Sequence, residues 1–177
     1  MSRRLAEGIG ATPGRDAYPT ITAVVALGAN LGDRDDTMRT ALEDLARLPL
    51  VSHVHASAPI ESVALKLDGP DDAAPAYLNS VALVQTRLAP TVLLAYLHAI
   101  ENRHGRERRE RWGDRTLDLD LIAYGEVTSD DPALVIPHPR AAQREFVLAP
   151  WLGLDRDAVL PGHGRVDEIL KQLRQEK

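Results

Sequence analysis

The sequence predicts a single α+β domain in which helices cover an antiparallel sheet. Three observations support this prediction. The chain has 177 residues, 44% of them apolar and 27% charged, which is enough for one domain with a hydrophobic core. Segments of β character alternate with two segments of helical periodicity. Their order along the chain is β-α-β-β-α-β, followed by a C-terminal extension.

The first half of the predicted core contains two strands and one helix. Residues 21–27 are almost continuously apolar, which is typical of a buried strand. From Asp33, apolar positions recur at three- and four-residue spacing, so a helix is predicted to end just before Pro49. Residues 51–62 alternate roughly and are predicted to form the second strand. The Gly- and Pro-containing segment 66–76 is predicted to be a loop.

The second half repeats this pattern in the order strand, helix, strand. Residues 77–86 alternate and predict the third strand. Pro90 stands where a first helical residue belongs, and the apolar stripe that follows predicts a helix ending at Gly105. Residues 116–124 alternate strictly and predict the fourth strand.

The β-α-β-β-α-β order is that of a ferredoxin-like domain, in which both helices lie on one face of the sheet. A C-terminal elaboration follows, with an extended piece at 133–136 and helices near 146–152 and 166–173. Residues 1–20 are rich in Gly, Pro and charge and lack periodicity, so they are predicted to form a flexible tail. The domain is therefore assigned to residues 21–177.

Composition excludes several classes of function. The 21 basic and 26 acidic residues give a net charge of −5, which argues against non-specific nucleic-acid binding. The chain has no cysteine, so disulfides and thiolate chemistry are excluded. The apolar run at 21–29 is far shorter than the roughly 20 residues that cross a bilayer, and the N-terminus lacks a signal peptide. We expect a cytoplasmic protein without a membrane partner.

Two carboxylates alternate with leucines near the start of the fourth predicted strand. On a strand, Asp118 and Asp120 project from one face, and their neighbouring leucines project from the other. Ionised carboxylates roughly 7 Å apart repel each other unless a cation lies between them. Mg²⁺ accepts such oxygen ligands and completes its shell with phosphates and water. A solvent-exposed sheet face is the alternative, although aspartate is a poor strand former.

Arginines are concentrated just before this strand. They are Arg103, Arg106, Arg108, Arg109, Arg111 and Arg115. Guanidinium groups beside a carboxylate pair suit the chemistry of polyphosphates. The segment also fits a solvated loop that Glu107, Glu110 and Asp114 partly balance. Trp112 within it fits either stacking on a planar ligand or covering the core.

Other candidate features are weaker when taken alone. The turn from Gly28 to Asp33, the pair Tyr77 and Asn79, His138 on a Pro-His-Pro turn, and Phe146 each fit an ordinary structural role as well as ligand binding. The Gly28 turn is not a P-loop. His98 and His104 are interpreted as helix-surface residues.

Several short motifs occur together in one order. They are Gly28-x-Asn30-Leu31-Gly32-Asp33, Tyr77-Leu78-Asn79, Glu101-x-x-x-Gly105-Arg106, Arg111-Trp112-Gly113-x-Arg115-Thr116-Leu117-Asp118-Leu119-Asp120, Pro137-His138-Pro139 and Arg144-x-Phe146. The sequence that carries them resembles the 6-hydroxymethyl-7,8-dihydropterin pyrophosphokinases of folate biosynthesis. The resemblance spans roughly residues 21–151, and the motif ending in Asp120 is its most specific part.

The resemblance implies an enzyme of the 2-amino-4-hydroxy-6-hydroxymethyldihydropteridine diphosphokinase type. Such an enzyme transfers the β,γ-pyrophosphate of ATP to the hydroxymethyl oxygen of the dihydropterin and releases AMP. By motif position, Asp118 and Asp120 would bind two Mg²⁺ ions that bridge the triphosphate. The implied catalytic set is Arg106, Arg108, Arg115, Asp118 and Asp120.

The resemblance also implies two binding regions. The nucleotide side would contain Glu101, Arg106, Arg109, Arg115, His138 and Arg144. The pterin side would contain Gly28, Asn30, Tyr77, Asn79, Trp112 and Phe146. In that region the two aromatic rings of Tyr77 and Phe146 would sandwich the pterin, and Asn79 would hydrogen-bond its edge. ATP and the dihydropterin are the implied partners of a monomeric enzyme.

The sequence departs from the family pattern in three places. Asp114 replaces a usual proline, residues 62–66 replace a T-x-P-x-G-like segment beside the pterin, and residues 133–136 lack a usual arginine. Two alternatives therefore stay open. One is a divergent paralogue that keeps the nucleotide site but uses another substrate or has lost turnover. The other is a ferredoxin-like RNA-binding module that uses residues 106–115.

Overall fold

The computed structural model describes residues 19–62, 64–66, 69–71, 76–105 and 116–176. The predicted tail lies outside these residues except for its last two positions. The predicted role of residues 106–115 also lies outside them.

The elements follow the predicted order. The helices are α1 (Arg34–Ala46), α2 (Pro90–Arg103), α3 (Glu145–Leu154) and α4 (Val166–Gln175), with a 3₁₀ turn at Ala141–Gln143. The strands are β1 (Ile21–Ala29), β2 (Val51–Ala56), β3 (Ile60–Ser62), β4 (Ala64–Lys66), β5 (Gly69–Asp71), β6 (Tyr77–Thr86), β7 (Asp118–Tyr124), β8 (Ser129–Asp131), β9 (Leu134–Ile136), β10 (Val159–Leu160) and β11 (Gly164–Arg165).

The main sheet is antiparallel and has the strand order β2-β6-β1-β7, with β3 also pairing with β6. β1 and β6 are therefore central, and β7 lies at one edge. This order confirms the predicted ferredoxin-like α+β core. The remaining strands form three separate two-stranded pairs, β4-β5, β8-β9 and β10-β11.

The two predicted core helices cover one face of the sheet, as expected. Buried residues of α1 and α2 form one hydrophobic cluster with inward-facing residues of the strands. Asp33 begins α1 as its N-cap, because its carboxylate accepts a hydrogen bond from the Asp36 backbone N–H at 3.0 Å. The first helix therefore starts where the sequence predicted.

The C-terminal elaboration covers the second face. Val147, Leu148 and Trp151 of α3 and Leu170 of α4 form a separate buried cluster with Val24 and other strand residues. The first face is thus covered, and the second is covered around Val24, Val81 and Ile122. The Gly28 end of the second face stays partly exposed.

Two predictions about local structure are wrong in detail. The predicted strand 51–62 is broken into β2 and β3, because Pro59 lacks a backbone N–H and the Ser57 hydroxyl lies 3.1 Å from that of Ser80. The predicted loop 66–76 contains β5, which pairs with β4. Both changes affect the segment that leads into β6.

The strict alternation predicted for residues 116–124 is also wrong. The pairing of β1 with β7 shifts between Val24 and Val25, so that Leu121 and Ala123 are partners of consecutive β1 residues and Ile122 is extra. Ile122 joins the α3–α4 side of the core, whereas Leu119 and Leu121 join the other side. The bulge lies beyond Asp120, so the alternation of the two carboxylates is preserved.

No helix in the described ranges is both long enough and apolar enough to cross a bilayer.

The buried face of α2 gives a test of the core. Leu97 is fully buried, so Leu97→Ala is expected to lower the free energy of unfolding by about 2–5 kcal/mol. Val92 on the same helix is 43% exposed, and Val92→Ala is expected to change that free energy by less than about 0.5 kcal/mol. Urea denaturation measures both. Equal losses would contradict the described burial of α2.

Candidate active site

A glycine lies at the centre of the site, inside a strand rather than in a turn. Gly28 pairs with Asn79 of β6 on one side and with Asp118 of β7 on the other. Side chains directly opposite each other in an antiparallel sheet share a face. Asn79 and Asp118 therefore flank a position that has no side chain of its own.

The two predicted carboxylates share one face, as the alternation indicated. Asp118 and Asp120 are partly exposed, whereas Leu119 between them is buried on the α1–α2 side. Arg144 Nη1 donates to Asp120 Oδ2 at 2.6 Å. Asp120 therefore forms an ion pair with the cationic side chain of Arg144.

His138 lies beside the same carboxylate. Its backbone N–H donates to the Ile122 carbonyl at 2.9 Å, and its Nδ1 accepts from the Arg140 N–H at 3.1 Å. Nδ1 is thus an acceptor, which leaves the proton of the neutral ring on Nε2, 3.7 Å from Asp120 Oδ2.

The ionisation of His138 reflects this position. Burial lowers the pKa of His138 from its ordinary 6.5, and the charges of Arg144 and Arg140 act in the same direction. The carboxylates of Asp120 and Asp118 oppose that change. The pKa of His138 stays below its ordinary value, which favours a neutral ring with an N–H donor.

The aromatic residue before α3 is connected to this group. The guanidinium carbon of Arg144 lies 5.8 Å from the centre of the Phe146 ring, within the range of a cation–π contact. Phe146 also packs against the α3–α4 cluster and remains partly exposed. Arg144 thus links the carboxylate of Asp120 to an aromatic surface.

A second group of predicted residues meets on the β6 side of Gly28. A Cβ placed on Gly28 would lie 3.6 Å from Asn79 Oδ1 and 3.9 Å from Tyr77 Cδ1. Asn79 is 6% exposed, and its amide donates to Ser62 Oγ at 2.8 Å and to the Tyr77 carbonyl at 3.3 Å. The amide nitrogen is therefore engaged by the protein, and the amide oxygen lies on the Gly28 side.

Ser62 was noted in the sequence only as a departure from the family pattern. The structure makes it a partner of Asn79, because β3 pairs with β6 in the register Ser62 to Tyr77. In the sequence, the only signal for this contact is that the segment 51–62 comes directly before the third predicted strand, with which it pairs as an antiparallel neighbour.

Arg34 ties the start of α1 to the same region. Its guanidinium donates to the Ala76 carbonyl at 2.6 Å and to Glu61 Oε1 at 2.9 Å. Asn30, at the end of β1, is 2% exposed. The segment after β1 is thus fixed next to β3 and to the start of β6.

Glu101 occupies a different place from the other candidates. It is 1% exposed on α2, and its Oε1 accepts a hydrogen bond from the Leu119 backbone N–H at 2.9 Å. Its contact with a nucleotide stays a prediction. The described contact is with the strand that carries the carboxylates.

His104 differs from the interpretation as a helix-surface residue. Its side chain is only 16% exposed, and Nε2 lies 3.2 Å from Asp44 Oδ2 of α1. A sequence pattern within α2 could not reveal this partner, because Asp44 lies on the other helix. His98 has an interaction of its own.

The structure therefore brings two groups of candidates to either side of Gly28. One contains Tyr77 and Asn79, and the other contains Asp118, Asp120, His138 and Arg144. Phe146, at the start of α3, is connected to the second group through Arg144. The remaining candidates, Arg106, Arg108, Arg109, Trp112 and Arg115, lie outside the described residues. Carboxylates suit a metal ion, a guanidinium suits a phosphate group, and an aromatic beside an amide suits a heterocyclic ring.

Comparison with known proteins identifies the family. Residues 24–156 match the family described as 7,8-dihydro-6-hydroxymethylpterin-pyrophosphokinase (HPPK). The chain belongs to this family. The match includes β1 and β7, and it extends through α3.

Named relatives agree with this assignment. The 2-amino-4-hydroxy-6-hydroxymethyldihydropteridine pyrophosphokinase of Haemophilus influenzae is 40% identical over 157 residues, which are 89% of this chain and 96% of that protein. The protein of the same name from Pseudomonas aeruginosa is 41% identical over 151 residues, with 82% and 88% covered. The family resemblance stated from the motifs is thereby confirmed.

Solved structures confirm the fold. A crystal structure of a triple mutant of Plasmodium falciparum HPPK-DHPS with SDX-DHP superposes with a TM-score of 0.67 at 13% identity. The match covers 89% of this chain but only 45% of that one. The wild-type protein with pterin and p-hydroxybenzoate gives a TM-score of 0.60, covering 86% of this chain and 42% of that one.

Gly28 can be tested for a structural requirement. A Cβ there would meet only ordinary van der Waals contacts, so Gly28→Ala is expected to keep the free energy of unfolding within about 1 kcal/mol of wild type. Gly125 is the matched control, because its φ is +51° and a Cβ would lie 3.0 Å from Ile21 Cγ2. Gly125→Ala is expected to lose more than about 1 kcal/mol. Thermal unfolding compares them, and a larger loss for Gly28→Ala would show that the fold itself requires Gly28.

Proposed function

We propose that this chain is an ATP-dependent pyrophosphokinase of folate biosynthesis. It transfers the β,γ-pyrophosphate of ATP to 6-hydroxymethyl-7,8-dihydropterin and releases AMP. The observation that carries the proposal is the shared row of Asn79, Gly28 and Asp118 across β6, β1 and β7. Asn79, the amide that we propose binds the heterocycle, and Asp118, the carboxylate that we propose acts on the phosphate side, thus lie on either side of Gly28. Family membership and the named relatives support the same activity.

The residues present fit Mg²⁺. Asp118 and Asp120 offer oxygen ligands from one partly exposed face, where a guanidinium already pairs with Asp120. Within the described part of the chain, no group of three or more His, Asp or Glu residues could hold a metal. A two-carboxylate site suits Mg²⁺, which takes its other ligands from phosphates and water. When bound, Mg²⁺ would neutralise phosphate charge and acidify the attacking hydroxyl.

The remaining residues of this face act on the nucleotide side. We propose that Arg144 exchanges Asp120 for a phosphate oxygen when the nucleotide binds, since both are anionic acceptors for a guanidinium. His138 presents an Nε2–H donor beside Asp120. We propose that Arg106, Arg108, Arg109 and Arg115 complete this side by the family pattern, and that Glu101 acts on it from α2 through its contact with β7.

The other side of Gly28 receives the pterin. Tyr77 and Phe146 are the aromatic surfaces, and Asn79 presents its amide oxygen next to the open position at Gly28. That oxygen accepts a hydrogen bond from a ring N–H. Asn30 and Trp112 line the same region by motif position. We propose that the enzyme is a monomer.

The reaction requires alignment more than covalent chemistry by the protein. The hydroxymethyl oxygen attacks the β-phosphorus, the bond from that phosphorus to the oxygen bridging to the α-phosphate breaks, and AMP leaves with that oxygen. The hydroxyl proton is released to solvent. The chain's contribution is to hold the two reactants on either side of Gly28.

The RNA-binding alternative is not favoured. Modules of the RNP type read RNA on an open sheet face that carries aromatic residues. Here α1 and α2 bury the first face of the sheet, and α3 and α4 cover the part of the second face that contains Val24, Val81 and Ile122. The exposed part beside Gly28 carries Asp118 and Asp120, and these carboxylates would repel the phosphates of an RNA. The paralogue alternative is also not favoured, given the relatives at about 40% identity.

The direct test is AMP formation from Mg-ATP with and without 6-hydroxymethyl-7,8-dihydropterin. Pterin-dependent AMP without ADP is the expected result. AMP that forms equally without pterin, or ADP as the product, would contradict the proposal. Calorimetry with α,β-methylene-ATP, which cannot be cleaved at the α–β bridge, shows separately whether nucleotide binds.

The carboxylates give a second test. Asp118→Asn and Asp120→Asn keep the side-chain shape but remove charge, so turnover is expected to fall about a hundredfold or more. The matched control is Asp130→Asn on β8, where the carboxylate is exposed and the strand is not part of the main sheet. Steady-state rates at several Mg²⁺ concentrations measure the effect. Wild-type turnover in either site variant would remove these residues from the proposed mechanism.

Ser62 gives a test of the pterin side. Ser62→Ala removes the nearer of the two acceptors of the Asn79 amide and leaves only the Tyr77 carbonyl at 3.3 Å, so the amide is held less firmly and the KM for the dihydropterin is expected to rise about 2- to 10-fold. The KM for ATP should not change. Ser52→Ala is the control, since Ser52 is exposed on the edge strand β2 and its hydroxyl donates to the Gln85 carbonyl at 3.4 Å. An increased KM for ATP with an unchanged KM for pterin would contradict the assignment.

A further inference from the structure

A buried carboxylate lies beneath the strand that carries the site. Glu101 is 1% exposed and stands on the apolar stripe of α2 with Leu97 and Ile100. Burial of a carboxylate is costly unless hydrogen bonds compensate for it. Its Oε1 accepts from the Leu119 N–H at 2.9 Å. This hydrogen bond gives the buried carboxylate a specific contact with β7.

That contact is made at the peptide between the two carboxylates. β7 is an edge strand with β1 as its neighbour, in the register Gly28 to Asp118 and Leu27 to Leu119. Backbone N–H groups alternate in direction along a strand, so those of an edge strand need partners outside the sheet at every second residue. The Leu119 N–H has Glu101 as such a partner. β7 is thus held by β1 on one side and by α2 on the other.

The helix that supplies Glu101 is itself fixed. One turn further along, the His104 Nε2 lies 3.2 Å from Asp44 Oδ2, and Arg103 Nη1 lies 3.6 Å from Asp44 Oδ1. Both contacts join the end of α2 to α1. The carboxylate of Glu101 therefore projects from a helix turn that is fixed to a second helix.

We infer that Glu101 is a positioning residue, whose buried carboxylate holds the Leu119 peptide so that Asp118 and Asp120 project together from β7. This inference rests on the proposed function. Glu101 then acts on the two carboxylates indirectly, through the backbone of β7, because it lies on the opposite face of the sheet. Loss of the contact leaves a buried N–H without its acceptor and frees the start of an edge strand. The effect is confined to the metal–nucleotide side, because Tyr77 and Asn79 lie on β6.

Three variants separate positioning from direct nucleotide contact. Glu101→Met keeps length and apolar burial but removes the acceptor. Glu101→Gln keeps an acceptor oxygen but removes the charge. Asn102→Ala, at an exposed position on the same helix, is the control for general effects on α2.

The readouts do not all depend on turnover. Amide hydrogen exchange at Leu119, followed by NMR, reports the hydrogen bond itself. Calorimetry with Mn²⁺ and α,β-methylene-ATP reports the metal–nucleotide site. Glu101→Met is expected to speed Leu119 exchange and to weaken Mn²⁺–nucleotide binding by about tenfold each. Glu101→Gln should keep both within about threefold, and the KM for the dihydropterin should change less than about twofold in both.

Two results would overturn the inference. The first is wild-type exchange and Mn²⁺–nucleotide affinity in Glu101→Met. The second is lost affinity in Glu101→Gln while Leu119 exchange stays slow, which would mean that the charge acts on the nucleotide directly. If Glu101→Met does not fold, Glu101→Gln alone decides between these readings. Absence of turnover in the wild-type protein would contradict the proposed function, whereas the exchange and binding measurements test Glu101 independently of turnover.

Discussion

The pairing of β1 with both β6 and β7 is the constraint on which the site depends. Because β1 is central, Gly28 has Asn79 on one side and Asp118 on the other. Any slip of one residue in either pairing would send one of these side chains to the opposite face. Burial of Val25 and Leu27 on the α1–α2 side fixes the register, so the hydrophobic core sets the geometry of the polar site.

The two faces of the sheet have different roles. The α3–α4 side bears Asp120 with its neighbours Arg144 and Phe146, while the α1–α2 side contains Glu101 and the contact between His104 and Asp44. Buried contacts on one face thus hold the strand that presents charged groups on the other. The bulge at Ile122 lies beyond Asp120, so β7 adapts to the second core without disturbing the carboxylates.

Periodicity and motif order were sufficient for the core elements and for the carboxylate face, because Asp118 and Asp120 depend only on local alternation. The break between β2 and β3 had a local signal in Pro59, which the rough alternation of that segment obscured. The bulge at Ile122 had no local signal in the sequence. It arises because β7 packs against the α1–α2 cluster through Leu121 and against the α3–α4 cluster through Ile122. Glu101 had a signal of another kind, since an acidic residue four positions after Leu97 stands on an apolar stripe. Its partner could be found only in three dimensions.

The most direct test of this account is a crystal structure with Mn²⁺, α,β-methylene-ATP and 6-hydroxymethylpterin. The account predicts anomalous scattering from Mn²⁺ against Asp118 and Asp120, and the heterocycle over Gly28 with a ring N–H directed at Asn79 Oδ1. Metal bound away from β7, or a heterocycle on the far side of the sheet from Gly28, would contradict the claim that this strand pairing organises the site.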